Sequence, residues 1–140
     1  MKMIRVALAA ALAAAVPAAA NAAGNLASEP TLLELSIDGS ALTFSQTEFT
    51  LETGKYYKWT ITSDGVEEVM IQSPDLFRNS WINQIIIDER EVHTSGAIYG
   101  IEFDDEGSVD VFFVPIRPGN YDFFAPGYEE RGLKGTFVVR

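Results

Sequence analysis

The chain has 140 residues, 20 acidic against 10 basic side chains, a formal net charge of −10 and no cysteine. This length supports a single domain with one core. The missing cysteine excludes disulfides, thiolate metal ligands and cysteine nucleophiles, and the acidic balance argues against nucleic acid and anionic lipid as partners.

The chain opens MKMIRVALAAALAAAVPAAANAAG, with Lys2 and Arg5 before an apolar run and Ala20-Asn21-Ala22 after it. That pattern predicts a secretory signal peptide over residues 1–22, cleaved near Ala22 or Ala23. The apolar run is shorter than the roughly 20 residues that span a bilayer, and no cysteine follows it to carry a lipid. The expected location is therefore periplasmic or secreted, with no membrane span in the mature chain. Cleavage removes two basic residues and no acidic one, which takes the net charge from −10 to −12. Residues 23–30 are small and polar and are expected to form a flexible mature N-terminus; residues 31–140 form the domain.

Beyond that point the sequence alternates short β-branched and aromatic runs with turn residues. Leu32–Ile37, Phe49–Leu51, Tyr56–Thr62, Val69–Gln72, Ile85–Asp88, Ala97–Phe103, Ser108–Val114, Asn120–Phe124 and Gly135–Val139 are predicted strands. Short strands bounded by Gly, Pro and Asp point to an all-β sandwich or barrel. One helical turn is expected over residues 74–81, with Ser73 as its N-cap. Phe77, Trp81 and Ile85 recur at i, i+4 and i+8, as on one helical face. This segment is expected to pack on an edge of the sandwich, with protein docking through Trp81 and Arg78 as its functional alternative. Asp104-Asp105-Glu106-Gly107 lacks the spacing of a calcium loop and reads as a tight hairpin turn. The lone His93 has no second imidazole or thiolate and reads as a surface-loop residue.

The C-terminal third, Gly119-Asn120-Tyr121-Asp122-Phe123-Phe124-Ala125 followed by Pro126-Gly127-Tyr128-Glu129-Glu130-Arg131-Gly132-Leu133-Lys134-Gly135, resembles the copper loop of cupredoxins of the plastocyanin and azurin type. Phe49–Trp59, Ser63–Glu68 and Phe112–Gly119 resemble the same family more loosely, so the likeness covers about Phe44 to Arg140. It implies a cupredoxin-like Greek-key β-sandwich. By position, the resemblance puts the cysteine ligand at Ala125, the second histidine at Tyr128, the methionine at Leu133 and the first histidine near Glu68. None is a type 1 copper ligand. Past the signal segment the chain holds only His93 and Met70, so no register assembles a thiolate with two imidazoles, and type 1 copper is excluded as a cofactor. Phe123, Phe124 or Tyr128 is expected to fill the space left by the sulfur, while Gly132 and Gly135 keep the loop's turns.

Two functional expectations follow. The first is a non-enzymatic binding or accessory protein that recognises a partner through its acidic surface and the modified loop, with Pro126, Tyr128, Glu129, Glu130 and Arg131 in contact. The partner would be a periplasmic or membrane-associated protein, a basic surface being the electrostatic match. The second is a hard divalent or trivalent cation, or non-blue copper, held by Glu68 with Glu129 or Glu130 and Tyr128. No nucleophile triad, phosphate-binding glycine loop or paired zinc motif supports an enzyme.

Overall fold

The computed structural model describes residues 26–140. The expected signal peptide and residues 23–25 lie outside the described residues. Eleven strands run in the order β1 (Thr31–Asp38), β2 (Thr43–Phe44), β3 (Glu48–Leu51), β4 (Tyr57–Ser63), β5 (Val69–Ile71), β6 (Ser80–Ile87), β7 (Arg90–Val92), β8 (Ile101–Phe103), β9 (Gly107–Pro115), β10 (Gly119–Phe124) and β11 (Lys134–Val139). A short helix α1 (Pro74–Arg78) precedes β6, and a 3-10 turn over Glu129–Arg131 precedes β11.

Six strands form one sheet in the order β2-β1-β4-β9-β6-β7. The other layer is β10-β11-β3, extended by the β5-β8 pair. That extension rests on reciprocal backbone bonds between Gln72 and Phe124, each 2.9 Å. β1 runs parallel to β4 and β3 parallel to β11, while the remaining pairs are antiparallel. The chain thus crosses repeatedly between layers, as a Greek-key sandwich requires.

Period-two alternation generates the layers. In β1, Leu33, Leu35 and Ile37 are buried while Glu34 and Ser36 face water; in β4, Tyr57, Trp59 and Ile61 are buried. A cluster of aromatic rings lies within the core between the sheets. Phe123 lies 5.0 Å from Phe137, 5.5 Å from Phe44, 5.7 Å from Phe49 and 5.8 Å from Trp59, ring centre to ring centre. Trp59 meets Phe137 edge to face at 5.0 Å. Such pairs add about 0.5–1.5 kcal/mol each beyond their burial, and they stand in for the disulfides this chain lacks. Tyr121 ties the β9–β10 corner, its hydroxyl donating to the Arg117 carbonyl at 2.9 Å.

Several expectations are corrected. The helix stops at Arg78, and residues 80–87 are a strand, so Phe77, Trp81 and Ile85 do not share a helical face. Phe77 and Ile85 are buried, whereas Trp81 is 46% exposed. Ser73 makes no side-chain cap; it is fully buried and its Oγ donates to the Asp122 carbonyl at 2.8 Å. Only Ile101–Phe103 of the predicted Ala97–Phe103 strand pairs, and the short strands β2 and β7 carried too little pattern to be expected. Asp104–Gly107 is not a hairpin, because β8 pairs with β5 and β9 with β4 and β6; the turn crosses between layers.

Candidate functional site

Strand register fixes which loops share an end of the sandwich. Ile37 pairs with Ser63 and Ser63 with Gly107, so the loops after β1 and β4 and the turn before β9 emerge together. Ile87 pairs with Val109 near the same end. In the other layer, Phe124 pairs with Lys134, and the antiparallel Gln72–Phe124 bridge puts Glu68 and the β10–β11 loop beyond that end as well.

This end, the head of the molecule, is acidic because four of its loops are: Asp64 to Glu68, Asp88-Glu89, Asp104 to Glu106, and Glu129-Glu130. Asp64 also organises it. Its carboxylate accepts from the Gly39 amide at 3.0 and 3.1 Å and from the Val66 amide at 3.1 Å, joining the loops after β1 and β4.

The Ala125–Leu133 loop is closed by its own backbone. Ala125 N–H donates to the Leu133 carbonyl at 3.0 Å, Tyr128 N–H to Ala125 at 3.0 Å, and Leu133 N–H to Tyr128 at 3.2 Å. Gly132 sits at φ 119°, where other residues are strained, and a Cβ there would come within 3.2 Å of the Leu42 carbonyl oxygen. Gly135 has a different role from the turn expected of it. It lies inside β11 under the Phe123 ring, where an ideal Cβ would overlap that ring.

Ala125 is 1% and Leu133 0% exposed, both in the main core, and Tyr128 packs against that core while remaining half-buried. Phe123 is fully buried and Phe124 half-buried. The positions that would offer sulfur and thioether therefore offer a methyl and an isobutyl group in a packed interior, and the imidazole position offers a half-buried phenol. Copper of the blue type needs a thiolate and two imidazoles, and these residues do not fit it.

Of the proposed contact residues, Pro126, Glu130 and Arg131 are exposed, and Tyr128 and Glu129 half-buried. The Arg131 guanidinium stands 5.9 Å from the Tyr128 ring centre. Glu129 Oε2 accepts from the Gly127 amide at 2.8 Å, which engages one of its oxygens within the loop. Among the described residues, the group of three carboxylates whose oxygens lie within 4.8 Å of one another is Glu68, Glu102 and Asp104, all exposed. Glu129 and Glu130 are not in it. Glu102 and Asp104 escaped sequence reasoning because only the β5–β8 pairing, Met70 opposite Glu102 and Val69 opposite Phe103, brings them to Glu68. His93 follows β7 in an exposed loop, its Nε2 3.5 Å from Glu91 Oε2.

The comparisons with known proteins agree with this geometry. No protein-family model matches the chain, and no curated protein sequence does. Solved structures do. Auracyanin from Roseiflexus castenholzii matches with a TM-score of 0.54 at 20% identity, covering 81% of this chain and 99% of that one. Auracyanin A, a blue copper protein from Chloroflexus aurantiacus, matches at 0.53 and 17% identity, covering 80% and 100%. The McoA multicopper oxidase of Aquifex aeolicus matches at 0.60 and 6% identity, over 79% of this chain and 29% of the oxidase. At these identities the likeness establishes the fold alone. The chain has a cupredoxin-like Greek-key β-sandwich and lacks the ligands of a type 1 copper site.

Proposed function

We propose that this protein is an exported, non-enzymatic binding or accessory module that docks a basic partner through its acidic head and the Ala125–Leu133 loop. The observation that carries the reading is that the loop is closed by its own backbone with Ala125 and Leu133 in the core, leaving Tyr128 half-buried and Pro126, Glu130 and Arg131 facing water. Tyr128 serves as a semi-exposed aromatic anchor, braced from beneath by the core. Aromatic and Arg side chains are the commonest interface anchors, and the surrounding carboxylates steer a cationic surface toward them. Among the described residues no helix is long and apolar enough to cross a membrane. Periplasmic location and absence of catalysis are part of the proposal.

The test is charge reversal on the loop. Glu129→Lys with Glu130→Lys should abolish recovery of the partner from the exporting cell, while Arg117→Glu at the opposite end should leave it intact. Equal recovery with both variants refutes docking through the loop.

A second reading, a hard-cation site, draws its support from the Glu68, Glu102 and Asp104 carboxylates rather than from Glu129. Calcium coordination takes six to eight oxygens at about 2.3–2.6 Å, of which these side chains supply only part. Elemental analysis of protein purified from its own compartment separates the two: a stoichiometric metal supports the second reading and its lack the first.

A further inference from the structure

A cavity of about 320 Å³ lies away from the acidic head, between α1, the start of β6 and the β7–β8 loop. We propose that it binds a small aromatic carboxylate through the Arg78 guanidinium, with the exposed Trp81 indole against the ring.

Four observations carry this. First, the volume falls at the small end of the range of about 300–1,000 Å³ for ligand pockets. Second, Trp81 is 46% exposed on the outward side of β6, while the other indole, Trp59, is fully buried, so a large flat apolar face stands open beside the cavity. Third, Arg78 is the only charged residue lining the cavity, although the chain carries 20 carboxylates. Asp75 stands beside it, but the contact is 3.8 Å long and the two side chains are 73% and 70% exposed. An exposed pair of that kind holds little, so the planar guanidinium is free to take a ligand carboxylate with two parallel bonds. Fourth, the remaining wall is apolar or already ordered: Phe77, Trp81 and Ile82 on one side, and on the other a loop set by Thr94 Oγ1 bonding both the carbonyl and the amide of Gly96. An anionic group at Arg78 and a flat apolar body along the Trp81 side match this division of chemistry.

Benzoate is the probe, with benzyl alcohol matching its ring without charge and acetate its charge without the ring. Binding is followed by the amide chemical shifts of Ser80, Trp81 and Gly96 and by Trp fluorescence; Trp81→Phe identifies the responding indole, since Trp59 is fully buried. Benzoate should saturate these signals in the millimolar range or below, with either control weaker by about tenfold or more. Arg78→Gln should weaken benzoate by about tenfold and leave benzyl alcohol unchanged. Ser80→Ala should leave benzoate binding unchanged and thermal stability equal or higher, because it removes a hydroxyl that is closed off from the cavity and has no partner within the protein. Equal affinity for benzoate and benzyl alcohol, insensitivity to Arg78→Gln, or no saturable shift at 10-millimolar order overturns the proposal.

Discussion

Replacing Gly135 by alanine would push a methyl group into the Phe123 ring, which has Phe44, Phe49, Trp59 and Phe137 around it. A ring so enclosed has little room to retreat, and overpacking of this kind costs about 1–3 kcal/mol. Gly135→Ala should lower the denaturant midpoint accordingly; an unchanged midpoint would mean the core yields more easily than its packing implies. Asp64 gives a second residue-scale expectation. Asp64→Ala removes the acceptor for the Gly39 and Val66 amides and should cost about 1–3 kcal/mol, since hydrogen bonds to charged groups are the stronger ones; Asp64→Asn should recover part of it. At this scale the sequence was informative where side-chain chemistry decides. The lack of type 1 copper ligands followed from the absence of cysteine and the presence of one histidine past the signal segment. It was misleading for Gly135, because whether a glycine serves a turn or a neighbouring ring depends on a contact twelve residues away.

The β6 strand shows what an element's sequence can hide. Its pairing with β9 shifts register between Ile82 and Gln84. That bulge puts Ile82 and Ile85 on the same side, where strict strand alternation would separate them. The spacing that suggested a helical face, Phe77, Trp81 and Ile85, joins the end of α1 to opposite faces of β6. β4, in contrast, alternates along its whole length, and β9 alternates up to Phe113 before ending in three consecutive buried residues; both were legible as strands. The β6–β7 hairpin turns through Asp88 and Glu89 at φ 47° and 63°, both left-handed. Two-residue hairpins of that conformation favour Asn-Gly. Asp88→Asn combined with Glu89→Gly should therefore stabilise the fold by about 1 kcal/mol, measured by thermal or chemical unfolding. A loss of stability would show that the acidic pair holds the hairpin in some other way.

Over the whole molecule the decisive property is how charge is distributed. The acidic loops gather at one end, while Lys55, Arg78, Arg117 and Arg140 lie toward the other, beside Glu52 and Asp75. β9 has nine residues, and at about 3.3 Å per residue it separates the ends by roughly 30 Å, more than three times the screening length of about 8 Å at physiological salt. The two ends thus act as separate electrostatic surfaces, and the net charge describes neither of them alone. Composition revealed the excess of acid; strand order was needed to place it, just as the β5–β8 pairing was needed to bring Glu102 and Asp104 to Glu68. Association at the head should be fast at low salt and slow steeply as salt rises, with dissociation changing less.

The most direct test of the central claim is site-specific photo-crosslinking in the exporting cell, with the reactive side chain placed at Pro126 in one variant and at Ile116 in another. Both positions are exposed and they lie at opposite ends of the sandwich. Docking through the head predicts one discrete adduct from position 126, lost on charge reversal of Glu129 and Glu130, and none from position 116. An adduct formed from position 116 and not from position 126 would contradict it.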